Sequence, residues 1–157
     1  MIAQVQKNIF IYKLLSGNNS YGFGDHFIRY LTFKAREPKG YFGYINGNGF
    51  TEKLEGKIIV KAWKELPQKF PYCILGDYIV NPDSFSGIVM LDKSLASDNQ
   101  VKTYYKLLTY FKNRSNVLMN KLHGTHGRVF WDNNYEEISI NDMDKLSEVL
   151  SYLKNQN

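Results

Sequence analysis

The chain has 157 residues, of which 43% are hydrophobic and 22% are charged, a composition typical of a folded globular protein. This length predicts a single domain over residues 1–157. The lone cysteine, Cys73, excludes an internal disulfide framework and a zinc site built on cysteines. No apolar run approaches the ~20 residues of a membrane span, which predicts no membrane partner. The N-terminus lacks the layout of a signal peptide, so we expect a cytoplasmic location.

The charge balance is mildly basic, because 20 Lys and Arg residues stand against 15 Asp and Glu residues and give a net charge of +5. The chain is also rich in aromatic residues, with 12 Tyr and 10 Phe. Basic charge combined with many rings suits single-stranded nucleic acid, since rings stack on bases while Lys and Arg contact phosphates. The alternative is that most of these rings pack in the core.

In the first half, alternation predicts a strand over Phe27–Phe33. A second strand-like segment, Gly40–Gly49, contains an Asn-Gly pair that favours a tight turn. Thr51 is then expected to cap the N-terminus of a helix that Pro67 closes. The expected apolar face of that helix consists of Leu54, Ile58, Ala62 and Leu66.

In the second half, two predicted strands joined by a short turn form an antiparallel hairpin, and two helices flank short extended pieces. The hairpin comprises Tyr72–Val80, Asn81–Asp83 and Phe85–Leu91. The helices cover Asn99–Leu122 and Asp142–Gln156, with extended pieces at Arg128–Trp131 and Glu136–Ile140. The element order predicts an α+β fold, an antiparallel sheet with helices packed on one face.

From Tyr30 onward the chain resembles the single-tyrosine HUH transposases, in particular the branch of REP-associated tyrosine transposases. The segments that carry the resemblance are Tyr30–Phe33 with Arg36, Gly56–Ile59 with Trp63, Pro67 and Phe70-Pro71, Asp77–Val89, Tyr110–Lys112 and Gly124–Tyr135. They occur in the family's order and at compatible spacing. Residues 1–26 form an N-terminal extension in which the resemblance is weak.

The resemblance implies a ferredoxin-like sheet and a role in DNA transposition. Family members recognise a DNA hairpin and cut single-stranded DNA beside it through a covalent 5′-phosphotyrosine. Two histidines flanking a hydrophobic residue, the HUH motif, hold a divalent metal such as Mg²⁺ or Mn²⁺ that polarises the scissile phosphate. A tyrosine on the last helix is the nucleophile. Relatives include monomers and dimers, so the resemblance allows a homodimer.

The chain departs from the family at the metal ligands. Where the family has Pro-Asn-His-Phe-His-Gly, this chain has Pro-Asp-Ser-Phe-Ser-Gly at 82–87, so Ser84 and Ser86 occupy both histidine positions. On a strand these two residues point to the same face, so the geometry for two ligands is kept while the imidazoles are absent. A neutral hydroxyl replaces imidazole poorly at these metals. The motif therefore predicts no bound cofactor, or Mg²⁺ or Mn²⁺ if the protein is active.

The nucleophile position is better matched. Tyr152 followed by Gln156 resembles the family's terminal motif, in which Gln156 would be a metal ligand, and residues four apart share a helical face. The alternative is that Tyr152 merely extends an amphipathic helix.

Phosphate contacts are predicted for four basic residues. These are Lys112, Arg128, Lys106 and Arg114, of which Lys112 lies in the family's Phe-Lys motif. His123 and His126, with His26, suggest a different metal site, although their spacing fixes no common geometry.

Three functions follow. The first is a transposase-like pseudoenzyme that binds hairpin or single-stranded DNA and has lost cleavage. The second is an active metal-dependent transposase or nuclease that attacks DNA through Tyr152. The third is a structural or protein-binding module that kept only the fold.

Overall fold

The computed structural model describes residues 26–92 and 100–155. Within these ranges the chain forms six strands and four helices. In chain order they are β1 His26–Ala35, β2 Gly43–Asn46, β3 Gly49–Glu52, α1 Leu54–Lys64, α2 Leu66–Lys69, β4 Cys73–Asn81, β5 Ser84–Asp92, α3 Gln100–His123, β6 Trp131–Ser139 and α4 Met143–Asn155. The predicted N-terminal extension, apart from residue 26, lies outside the described residues, as does Gln156. No helix in the described part combines the length and hydropathy that crossing a membrane requires.

The main sheet has the strand order β4-β5-β1-β6, and all neighbouring strands are antiparallel. The crossovers from β1 to β4 and from β5 to β6 contain α1 and α3, which is the ferredoxin-like arrangement. The predicted α+β class with an antiparallel sheet is confirmed. β2 and β3 form a separate hairpin between β1 and α1.

One face of the main sheet, here called the aromatic face, is covered by α1 and α3. Its centre is a cluster of rings in which Phe111 of α3 lies 5.1 Å from Phe33 of β1 and 5.4 Å from Trp63 of α1, measured between centroids. Phe85 and Trp131 complete the cluster from β5 and β6. All five rings are buried, so this face holds most of the aromatic core.

The opposite face, here called the α4 face, is covered by α4, which corrects the expectation that helices pack on one face alone. Leu146, Val149 and Leu153 of α4 are buried against aliphatic residues of the sheet. Ile140, the residue after β6, joins this core, whose sheet residues are Ile28, Ile79, Ile88 and Met90, with Tyr30. They alternate along the strands with residues of the aromatic face, so both faces of β1 and β5 are buried.

Two local predictions fail around α1. Thr51 lies in β3 and does not cap the helix, which begins at Leu54 after Lys53. Leu54 is 62% exposed, while Ile59, Ala62 and Trp63 form the buried face. The Asn-Gly turn at 46–47 is followed by a second strand, β3, so the helix begins later in the sequence than predicted.

The bounds of the two extended pieces predicted after α3 are wrong: residues 128–130 form no strand, and one continuous strand, β6, runs from Trp131 to Ser139. Its pairing with β1 shifts register between Phe33 and Ala35, opposite Tyr135 and Trp131. The Asn-rich stretch of β6 is therefore accommodated by an irregularity in the strand and does not end it.

Candidate active site and nucleic-acid interface

The positions that match the family's histidines lie on the α4 face at the start of β5. Ser84 and Ser86 point to the side of β5 opposite Phe85, which belongs to the aromatic face. They point to the same side as Ile88, which α4 covers. Ser86 is 3% exposed, and its Oγ lies 2.8 Å from Thr32 Oγ1 on β1. Ser84 is half-buried and accepts a hydrogen bond from Asn81 Nδ2 at 3.3 Å. The two side chains thus share a face, as the strand alternation predicts.

The two other residues of the motif, Asp83 and Gly87, stabilise the structure around them. The carboxylate of Asp83, in the β4–β5 turn, accepts the backbone N–H of Gly40 at 2.6 Å, and Asp83 therefore fixes the loop after β1. Gly87 faces the aromatic side, where a Cβ would lie 2.7 Å from Trp63 Cζ2. Glycine is needed there because the indole of Trp63 occupies the space.

The residues present do not fit the divalent metal that the resemblance implies. Each serine hydroxyl already has a hydroxyl or amide partner, and neither can supply the charge that a hard cation prefers. Among residues 26–92 and 100–155, no group of three His, Cys, Asp or Glu side chains is placed to hold a metal. His123 Nε2 instead lies 3.4 Å from Glu55 Oε1, and its ring packs edge-on against Phe130. The side chain of His26 is outside the described set.

Tyr152 lies on α4, on the same side of the sheet as Ser84 and Ser86. It is 55% exposed, while the next residue, Leu153, is buried against the sheet. A tyrosine nucleophile must reach solvent and substrate, and this exposure is compatible with that role as well as with an ordinary surface position.

Two of the predicted phosphate-binding side chains have partners within the protein. The Lys112 amine donates to the carbonyl oxygen of Asp132 at 3.0 Å and ties α3 to β6. Burial lowers the pKa of this amine. Arg114 Nε donates to Glu65 Oε2 at 3.0 Å, and this hydrogen bond raises the pKa of the guanidinium. Both residues connect secondary-structure elements.

The other two predicted contacts are exposed. Lys106 lies on the solvent side of α3. Arg128, in the loop after α3, donates to the Tyr41 hydroxyl at 2.6 Å and lies over the ring of Phe130, 5.1 Å from its centroid. Asn120 holds this loop, because its side chain binds both the carbonyl and the N–H of Arg128. The four residues therefore do not form one continuous surface patch of free cations.

Two further features lie outside the four residues predicted to contact phosphates. One is a row of lysines on α1, namely Lys57, Lys61 and Lys64, whose spacing of four and three residues could have revealed it. The other is the apolar tip of the β2–β3 hairpin, where Ile45 is 72% exposed. No sequence signal separates such a tip from a buried strand.

No protein-family model and no curated protein sequence matches the chain. Two solved structures share its fold. The structure of a REP-associated tyrosine transposase bound to a REP hairpin superposes with a TM-score of 0.53 at 12% identity. The match covers 81% of this chain and 64% of that one, so the chain spans less than two thirds of that transposase. A candidate transposase from Deinococcus radiodurans R1 superposes with a TM-score of 0.52 at 11% identity, covering 84% of this chain and 92% of that one. The described part of the chain therefore has a transposase-like fold.

Proposed function

We propose that this protein is a transposase-related DNA-binding protein that recognises hairpin or single-stranded DNA and does not cleave it by the metal-dependent route. The loss of cleavage is supported by the identity and the hydrogen bonds of Ser84 and Ser86. They lie on the α4 face, where ligands would be needed, and are hydrogen-bonded to Asn81 and Thr32.

Binding to DNA is supported by the transposase-like fold and by the net charge of +5. The structural neighbour that carries a REP hairpin suggests a folded DNA strand as the ligand class. Lys106 and Arg128 are exposed and remain proposed phosphate contacts. Lys112 and Arg114 are proposed to contribute less, because binding a phosphate would require them to leave Asp132 and Glu65.

The binding proposal is tested by titrating the protein into a fluorescent hairpin oligonucleotide with a single-stranded flank. The logarithm of the affinity should fall linearly with the logarithm of the salt concentration, because each neutralised phosphate releases counterions. Heparin and a fully paired duplex serve as polyanion controls. Equal binding to all three ligands, or none, would favour a structural or protein-binding module.

The loss of cleavage is tested by incubating the protein with the same oligonucleotide and Mn²⁺ or Mg²⁺. We expect no covalent protein–DNA adduct on a denaturing gel. An adduct that disappears in Tyr152→Phe would establish the active transposase instead, since Tyr152 is exposed on the same face as the serines. The double variant Ser84→His/Ser86→His, combined with Thr32→Ala to leave room for the second imidazole, is the positive control, and gained Mn²⁺ binding would show that the strand places two ligands together.

A further inference from the structure

The solvent-facing side of α1 carries a row of lysines. Lys57, Lys61 and Lys64 lie within one side of the helix, opposite the buried Ile59, Ala62 and Trp63. An α-helix rises about 1.5 Å per residue, so the row spans about 10 Å along the axis. One strand of B-form DNA presents about three phosphates over that distance. The row thus matches the spacing of a nucleic-acid backbone.

The acidic residues next to this row are engaged elsewhere. Glu65 is bound by Arg114 of α3, and Glu55 faces His123, with Oε1 3.4 Å from Nε2. Within the described residues, neither Lys57 nor Lys61 has an ion-pair partner. Both line a shallow groove with Val60, Lys64, Gln68 and Glu65, whose carboxylate is bound by Arg114. The positive charges of Lys57 and Lys61 are therefore available to a ligand, while the Lys64 amine lies over the ring of Tyr78, 5.6 Å from its centroid.

The hairpin that precedes α1 exposes apolar side chains. Tyr44 is 51% exposed and Ile45 is 72% exposed on β2, and Phe50 across from Ile45 is 41% exposed. Leu54, the first residue of α1, is also 62% exposed. Clustered exposed apolar groups of this kind mark interaction sites.

The hairpin and α1 are joined at their bases. The N–H of Lys53 donates to the carbonyl of Phe42 at 2.9 Å, and the N–H of Lys57 donates to the carbonyl of Lys53 at 3.1 Å. Gly56 lets the first turn of α1 sit against Phe42, whose carbonyl oxygen would lie 2.4 Å from a Cβ at residue 56. The apolar tip and the lysine row therefore keep a fixed relation to each other.

We propose that the β2–β3 hairpin tip and the solvent-facing side of α1 form a DNA-binding surface separate from the α4 face. Lys57, Lys61 and Lys64 contact backbone phosphates, while Ile45 and Phe50, which face each other across β2 and β3 on one side of the hairpin, pack against unpaired bases. An apolar tip beside a row of cations is complementary to a strand with exposed bases and a charged backbone. This inference rests on the proposed function and names the surface that would carry it.

The phosphate contacts are tested with Lys57→Gln/Lys61→Gln, using Lys121→Gln/Lys145→Gln as a matched control with the same loss of charge. At about 0.1 M salt the α1 variant should bind the flanked hairpin about 10- to 100-fold more weakly, and its salt dependence should be shallower by about one to two in slope. The control should change affinity about threefold or less. Equal losses in the two variants, or none in the α1 variant, would overturn the assignment.

The base contacts are tested with Ile45→Ser/Phe50→Ser, compared with Val117→Ser, which also changes an exposed apolar residue, 57% exposed on α3. The tip variant should lose about tenfold in affinity for an oligonucleotide with unpaired bases and much less for a blunt duplex. A loss of equal size on both ligands would contradict base packing. All these residues are exposed or half-buried, and urea denaturation of each variant verifies that folding is kept.

Different results would contradict the proposed function and the proposed binding surface. If the unmodified protein does not bind the hairpin, the proposed function is wrong. If it binds but the α1 and tip variants bind equally well, only the surface is misassigned, and Lys106→Gln/Arg128→Gln then tests the residues chosen from the sequence.

Discussion

The two faces of the main sheet are stabilised by different kinds of side chain. The aromatic face is filled by packed rings from three strands and one helix around Phe111, whereas the α4 face has a smaller aliphatic core around Ile88. The start of β5 on the α4 face is polar, where Thr32, Ser84 and Ser86 meet. The difference indicates that the aromatic face determines the fold, while the α4 face can change its chemistry at limited cost.

The sharpest test compares one core truncation on each face. Phe111→Ala should lower the free energy of unfolding by about 3–5 kcal/mol, because four rings lose a common neighbour. Leu146→Ala should cost about 2–3 kcal/mol, near the lower end for leucine, since the surface helix α4 can move to close the space. Urea denaturation measures both. A larger cost for Leu146→Ala would reverse the ranking of the faces.

A second test enlarges a residue under the aromatic cluster. Gly87→Ala should cost about 1–3 kcal/mol, because its Cβ would lie 2.7 Å from Trp63 Cζ2. Trp63→Phe removes that contact, and it also removes the Nε1 group, which is buried without a hydrogen-bond partner. In a double-mutant cycle the two changes should be less harmful together than the sum of their separate effects. Additive effects would show that the indole does not restrict residue 87.

The third test uses alkaline pH. Burial raises the pKa of Tyr135, whose ring packs against Phe33, to about 12 from its ordinary value of 10.0. Between these values the folded state holds a proton that the unfolded state has lost, so stability falls as pH rises from about 10 to 12. Tyr135→Phe should make this decline shallower when the free energy of unfolding is measured at several pH values. An unchanged decline would assign it to other groups, such as Tyr104, whose pKa is also raised by burial and by its hydrogen bond to Glu137.

The smallest effects are expected at Ser84 and Ser86. Ser86→Ala should cost about 0.5–1.5 kcal/mol, because it removes the hydrogen bond to Thr32 in a buried site. Ser84→Ala should cost less than Ser86→Ala, since residue 84 is half-buried and its bond to Asn81 is long. Thermal unfolding distinguishes the two. Costs above those of the aromatic face would mean that this polar pair is a main support of the sheet.

Much of the fold could be predicted from sequence because its pattern is local. Periodicity placed α3 within a residue of its bounds, and β4 and β5 nearly as well. The position of α4 could not be predicted in this way, because a helical stripe does not reveal which face of a sheet it covers. The run of apolar residues from Ile88 to Leu91 did carry a relevant signal, since a strand without alternation is buried on both faces.

The candidate site, like the fold, could be predicted from the sequence only in part. Strand alternation correctly placed Ser84 and Ser86 on one face, and the turn position expected for Asp83 is confirmed. The partners of Lys112 and Arg114 could not be predicted, because Asp132 and Glu65 are distant in sequence and meet them only through tertiary packing. Exposure of the β2–β3 tip is likewise a property of the folded chain.

The contact between Ser86 and Thr32 limits the order in which histidines could be introduced at residues 84 and 86. Since Ser86 is enclosed, a bulky side chain at that position needs space that Thr32 now occupies. The half-buried Ser84 would accept an imidazole more readily. A mutational path to a two-histidine site should therefore begin at Ser84, replace Thr32 with a smaller residue next, and alter Ser86 last, and variants made in the opposite order should accumulate less protein in cells.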